Sequence, residues 1–71
     1  MNMKPKFEVG QTVHFLDGTY EKGEIIGVKE TLNTYDGMKF RYWVEMQNDI
    51  KALMEYQLFA TKKELLESLW L

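Results

Sequence analysis

One stretch limits what this chain can fold into more than any other: Lys39-Phe40-Arg41-Tyr42-Trp43-Val44-Glu45-Met46. It alternates with a period of two, so an extended backbone places Phe40, Tyr42, Val44 and Met46 on one side and Lys39, Arg41, Trp43 and Glu45 on the other. The pattern predicts a strand with one buried face. Its outward set holds a tryptophan between two cations and an acid, which a plain solvent face does not require.

That buried face needs partners, and 71 residues must supply them from one domain. A chain this short buries only about 60% of the surface its unfolded form exposes, which leaves a net stability of a few kcal/mol. Hydrophobic residues at 45% and aromatics at 14% are enough for a packed core. The absence of cysteine excludes disulfides, thiolate nucleophiles and thiolate metal sites together, and fits a reducing cytoplasm. No apolar run of signal-peptide length follows the basic opening Met1–Lys6, and no stretch approaches the roughly 20 apolar residues of a membrane span. A soluble cytoplasmic protein is expected. The formal net charge of -2 disfavours generic phosphate-backbone binding while leaving room for a local basic patch.

Taken in order, residues 1–6 are expected to be a flexible N-terminal arm, with Phe7 docking on the core. Thr12–Leu16 predicts a first strand with Val13 and Phe15 inward, closed by the Asp17-Gly18 turn signal. Thr19–Lys22 then reads as a long first loop. Glu24–Thr31 is β-prone but breaks alternation, so a bulge or bend near Gly27 is expected to turn both Ile25 and Val28 inward. Leu32–Met38 reads as a polar turn. Beyond the tight connection Gln47–Asp49, a fourth strand at Ile50–Met54 is expected to face Ile50, Ala52 and Met54 inward, leaving Lys51 and Leu53 outside. A 3₁₀ turn at Glu55–Gln57 leads to a brief fifth strand at Leu58–Ala60. Thr61-Lys62-Lys63-Glu64 is a capping box, opening a helix from Lys62 to about Trp70 whose Leu65, Leu66, Leu69 and Trp70 form one apolar stripe.

The expected fold is therefore mostly β: a five-stranded SH3-like barrel over residues 7–60, with a short C-terminal α-helix over 61–71 packed on it. The run Phe7-x-Val9-Gly10-Gln11-x-Val13, Asp17-Gly18, Gly23-x-Ile25-x-x-Val28 and Tyr42-x-Val44 resembles the small bacterial SH3-like barrels of the KOW and Tudor type. The tail Leu58-Phe59-Ala60-Thr61-Lys62-Lys63-Glu64-Leu65-Leu66-Glu67-Ser68-Leu69 is similar to the ending of a group of small uncharacterised proteins from bacteria and their phages or prophages. The resemblance implies a phage, prophage or mobile-element setting, as an accessory or regulatory factor.

The residues do not assemble an enzyme. His14 is the single histidine, so neither a zinc site nor a His-activated nucleophile has a natural set of companions, and no metal or cofactor is expected. Asp17 and Asp36 precede glycines as turn residues, Glu64 caps the helix, and Glu67 follows Lys63 as a surface pair. Glu55 stays open, with satisfaction of turn amides the favoured use.

Binding has two candidate surfaces. Lys39, Arg41 and Trp43, joined by Lys51, would interleave cations with a ring on the outer sheet, the ingredients of a nucleic-acid platform, unless the terminal helix covers Trp43. Tyr20, Tyr35 and Tyr56 could instead line an SH3-type peptide groove between loops, or serve as loop anchors, the favoured use for Tyr56. The expected function is a non-enzymatic interaction module for an unknown protein or peptide partner. The alternative is a KOW-like nucleic-acid binder. Either would be a monomer or weak homodimer, and a self-associating structural subunit is the third possibility.

Overall fold

The computed structural model describes residues 4–33 and 37–70. Strands β1 (Thr12–Asp17), β2 (Thr19–Asn33), β3 (Gly37–Glu45) and β4 (Ile50–Met54) form one four-stranded antiparallel sheet in that order. A 3₁₀ turn at Glu55–Gln57 and helix α1 (Lys62–Ser68) follow. No helix among the described residues is long and apolar enough to cross a membrane.

The sheet takes its shape from β2. Its first part pairs with β1, from Thr19 opposite Asp17 to Glu24 opposite Thr12, and its second part pairs with β3, from Glu24 opposite Glu45 to Asn33 opposite Gly37. Only Glu24 has a partner in both ladders, so the two hairpins are offset along one shared strand and can fold toward each other over a common core. The fold is made by a bulge: Ile25 lies opposite Val44 but Gly27 lies opposite Trp43, which leaves Ile26 as the extra residue, exposed at the bend. A bulge bends its strand and strengthens the local twist. Ile25 is consequently buried, Val28 packs on the same core, and the bend that the broken alternation predicts near Gly27 is present. Gly23 sits just before the bulge, where a Cβ would lie 2.6 Å from both the Glu45 carbonyl oxygen and Val44 Cγ1. Only a hydrogen fits there.

The core is a single cluster of Phe7, Val13, Phe15, Ile25, Phe40, Tyr42, Val44, Leu53 and Leu58. Each such burial contributes about 1.5–3 kcal/mol, so a domain with a few kcal/mol of net stability depends on nearly all of them. Phe7 docks edge-on to Tyr42, with ring centroids 5.7 Å apart. The Tyr42 hydroxyl donates to the Glu55 carboxylate at 2.5 Å and accepts the Phe7 N–H at 3.3 Å, and the same Glu55 oxygen accepts the Lys6 N–H at 3.0 Å. Glu55 thus has the structural use favoured for it, tying the entering chain to the centre of β3.

Several expectations are corrected. Thr19–Lys22 is not a loop: β2 begins at Thr19, directly after Gly18, which turns the chain with a φ of +78°. The turn expected over Leu32–Met38 is narrower, because strand pairing reaches Asn33 on one side and Gly37 on the other. Leu58–Ala60 contributes no fifth strand but a single bridge, Phe59 to His14, with N–H to O distances of 2.8 and 2.9 Å. The sheet of the described residues is therefore four-stranded and open rather than a five-stranded barrel.

The face of β4 is also the reverse of the expected one. Leu53 is buried opposite Tyr42 and Lys51 stands opposite Val44, whereas Ile50, Ala52 and Met54 lie on the other side. The Met46–Asp49 connection, closed by the Met46 N–H to Asp49 O bond at 2.7 Å, puts Glu45 opposite Ile50, and residues directly opposite share a face. Turn register here overrides the apolar count of the strand. Helix α1 keeps one half of its predicted capping box, with the Thr61 hydroxyl accepting the Glu64 N–H at 3.1 Å. Its stripe does not pack as expected: Leu65 is buried, while Leu66, Leu69 and Trp70 are exposed. The helix ends at Ser68 and packs against β1, too short to bring its last turn over the sheet.

Burial and the hydrogen bond to Glu55 push the Tyr42 phenol up to about 12 from an ordinary value of 10. A folded-state value above the unfolded one contributes stability that is complete below the unfolded pKa and is lost as pH rises through the folded pKa. The parent protein is therefore expected to lose stability between about pH 10 and 12, more steeply than Tyr42→Phe. Urea unfolding of both across that window measures it, and parallel pH profiles would contradict the assignment.

Candidate binding face on the outer sheet

Three strands supply the outer face, and their registers arrange it in rows. Lys29, Arg41 and Met54 lie side by side on β2, β3 and β4; Gly27, Trp43 and Ala52 form the next row; Glu24, Glu45 and Ile50 form the third. Lys39, opposite Thr31, extends the cationic end. The face therefore runs from basic to acidic along β3 with a tryptophan between. Trp43 is half-buried, its ring carbon Cε3 within ordinary contact distance of a Cβ placed on Gly27, so the indole lies beside a β2 residue that has no side chain. Helix α1 packs against β1, which β2 separates from β3 in the sheet.

Two cross-strand pairs on this face join like charges. Lys29 stands opposite Arg41 and Glu24 opposite Glu45, all four exposed. Like charges directly opposite one another in an antiparallel pair are destabilising, each by a fraction of a kcal/mol. None of these four side chains has a hydrogen bond or ion pair among the described residues. A shuffle that set each cation opposite an acid would favour the fold more.

The sequence-predicted residues separate. Arg41, Trp43 and Lys39 share the outer face of β3 as the alternation predicts. Lys51 does not join them: it is on the opposite face, where its long stem carries the ammonium to the rim and onto Asp17 of β1. The Asp17 hydrogen bond holds this lysine above its usual range. Tyr20 is not a loop residue. It lies in β2, half-buried, with its hydroxyl 2.8 Å from His14 Nδ1, the two rings stacked at 5.9 Å and the Lys62 ammonium 4.6 Å from its centroid. Tyr56, expected as an anchor, is 80% exposed in the 3₁₀ turn. Tyr35 lies outside the described residues. The loop groove thus loses Tyr20, and the outer sheet gains Lys29 and the acidic pair. The signal for Lys29 was the broken alternation at Ile26-Gly27, which moves Lys29 to the face that carries Arg41.

Comparison with protein-family models, characterised proteins and solved structures found no match to this chain.

Replacing one acid of the Glu24–Glu45 pair by a cation turns repulsion into attraction. Glu45→Lys is expected to raise stability by about 0.2–1 kcal/mol at low salt, with the gain shrinking as salt is added. Denaturant unfolding at two ionic strengths measures this, and a less stable variant would contradict the geometry of the face.

Proposed function

We propose that this chain is a non-enzymatic interaction module that binds a protein or peptide partner on the outer face of β2, β3 and β4. The observation that carries this reading is the two cross-strand like-charge pairs that flank Trp43. They cost the isolated fold stability and have no structural beneficiary, as expected of groups kept for a partner. Several other polar groups are already in use. His14 is bonded to Tyr20, Glu55 to Tyr42 and the Lys6 amide, Asp17 to Lys51, and Lys63 lies 3.9 Å from Glu67.

The architecture is proposed to be an SH3-like barrel whose fifth strand is reduced to the Phe59 bridge. Support comes from the shared, bulged β2, from the bridge onto the free edge of β1, and from the Lys51–Asp17 pair that joins the two edge strands. The Leu58–Leu69 ending supports a phage or prophage accessory role in the cytoplasm. A nucleic-acid partner is the second reading, favoured by the placement of Lys29 beside Arg41 and next to Trp43.

Capture of a host protein from nuclease-treated cytoplasmic extract tests the first reading. The immobilised parent and a Tyr56→Ala control are expected to retain the same protein, and Arg41→Ala to lose it. Retention by all three contradicts the assignment of the face, and loss on nuclease treatment favours the second reading.

A further inference from the structure

The outer face is not uniformly basic, and its charge order constrains what can lie on it. Lys29 and Arg41 stand at one end, Glu24 and Glu45 at the other, and Trp43 occupies the row between. Arg41 and Glu45 are four residues apart on one strand, about 13 Å at the rise of an extended chain. The acidic end carries further acids, since Glu45 and Asp49 line one surface groove there and Glu21 and Glu45 line its neighbour, alongside Lys22. A phosphate backbone that met the cations and stacked a base on Trp43 would, on continuing past the ring, carry its next negative charge onto Glu24 and Glu45. The same holds for a uniformly acidic peptide. A partner with its own charge order, acidic then apolar then basic, meets complementary groups in every row.

Resting on the proposed interaction-module function, we infer that the outer face is a site for a charge-segregated peptide segment, with its acidic block on Lys29 and Arg41, an apolar residue against Trp43, and its basic block on Glu24 and Glu45. Complementarity in both ends fixes the register of the partner along β3. Binding also removes the two like-charge repulsions, because each pair then shares a counter-charge. Like-charge juxtaposition at an interface suppresses wrong partners, so a partner of the same composition with its charges mixed is rejected.

The test uses the full chain carrying Trp70→Phe, which leaves the Trp43 indole N–H as the single reporter; Trp70 is 86% exposed, so its replacement leaves the core intact. The probes are a peptide with an acidic block, a central phenylalanine and a lysine block; a peptide of identical composition with alternating charges; and oligothymidylate. The segregated peptide is expected to shift the Trp43 resonance with an affinity about tenfold or more above that of the alternating one, a difference small against the cost of misplaced charge. Glu24→Lys with Glu45→Lys keeps a like-charge pair and so leaves strand pairing little changed, yet it should abolish the preference and admit oligothymidylate. Equal affinities for the two peptides overturn the charge-order inference while leaving a peptide-binding module in place. Tighter binding of oligothymidylate than of either peptide by the parent face overturns it in favour of nucleic acid. No response of Trp43 to any probe overturns the face itself.

Discussion

The structure depends on one local constraint, the place where β2 changes partners. Within a few residues the strand gives up β1, accepts β3, bulges at Ile26, and passes so close to the end of β3 that Gly23 has no room for a side chain. A straight strand would extend both hairpins into one flat ribbon with an exposed apolar side. The bent strand instead turns Val13 and Phe15 toward Tyr42 and Val44, and a chain of this length can then close a core without disulfides.

The same constraint sets the surface. Up to Ile25 the odd-numbered residues of β2 lie on the core side, and after the bulge Val28 does, so Lys29 emerges beside Arg41 and Gly27 beside Trp43. Fold and candidate site thus share one cause. The device that buries Ile25 and Val28 also builds a face ordered from cations through a tryptophan to acids. Further contacts tie the edges down: Phe59 pairs with β1, Lys51 reaches Asp17, and Glu55 secures the entering backbone through Tyr42.

Much of this was legible in the sequence, for identifiable reasons. The clean alternation of Lys39–Met46 fixed both faces of β3, the broken alternation around Gly27 located the bulge, and the Thr61–Glu64 pattern marked the helix start. What failed were inferences that depend on register or on where a neighbour lies. Ile50-Lys51-Ala52-Leu53-Met54 is more apolar on the face that ends up outside, because the Met46–Asp49 turn decides which side opposes Tyr42. Tyr20 reads as a loop residue among polar neighbours, but β1 supplies a ladder that holds it in a strand. The C-terminal leucines look like a packing stripe, yet a helix of this length lays only Leu65 against the core. Lys51 leaves the candidate site and Lys29 enters it for the same reason: face assignment is a tertiary property even where strand assignment is local.

The central claim is the register across the bulge, and backbone nuclear Overhauser contacts between β2 and β3 test it most directly. The account predicts cross-strand contacts pairing Ile25 with Val44, Gly27 with Trp43 and Lys29 with Arg41, with Ile26 unpaired. Contacts pairing Ile26 with Trp43 in an unbroken ladder would contradict it, because Lys29 would then lie opposite Phe40 on the buried side and the ordered outer face would not exist.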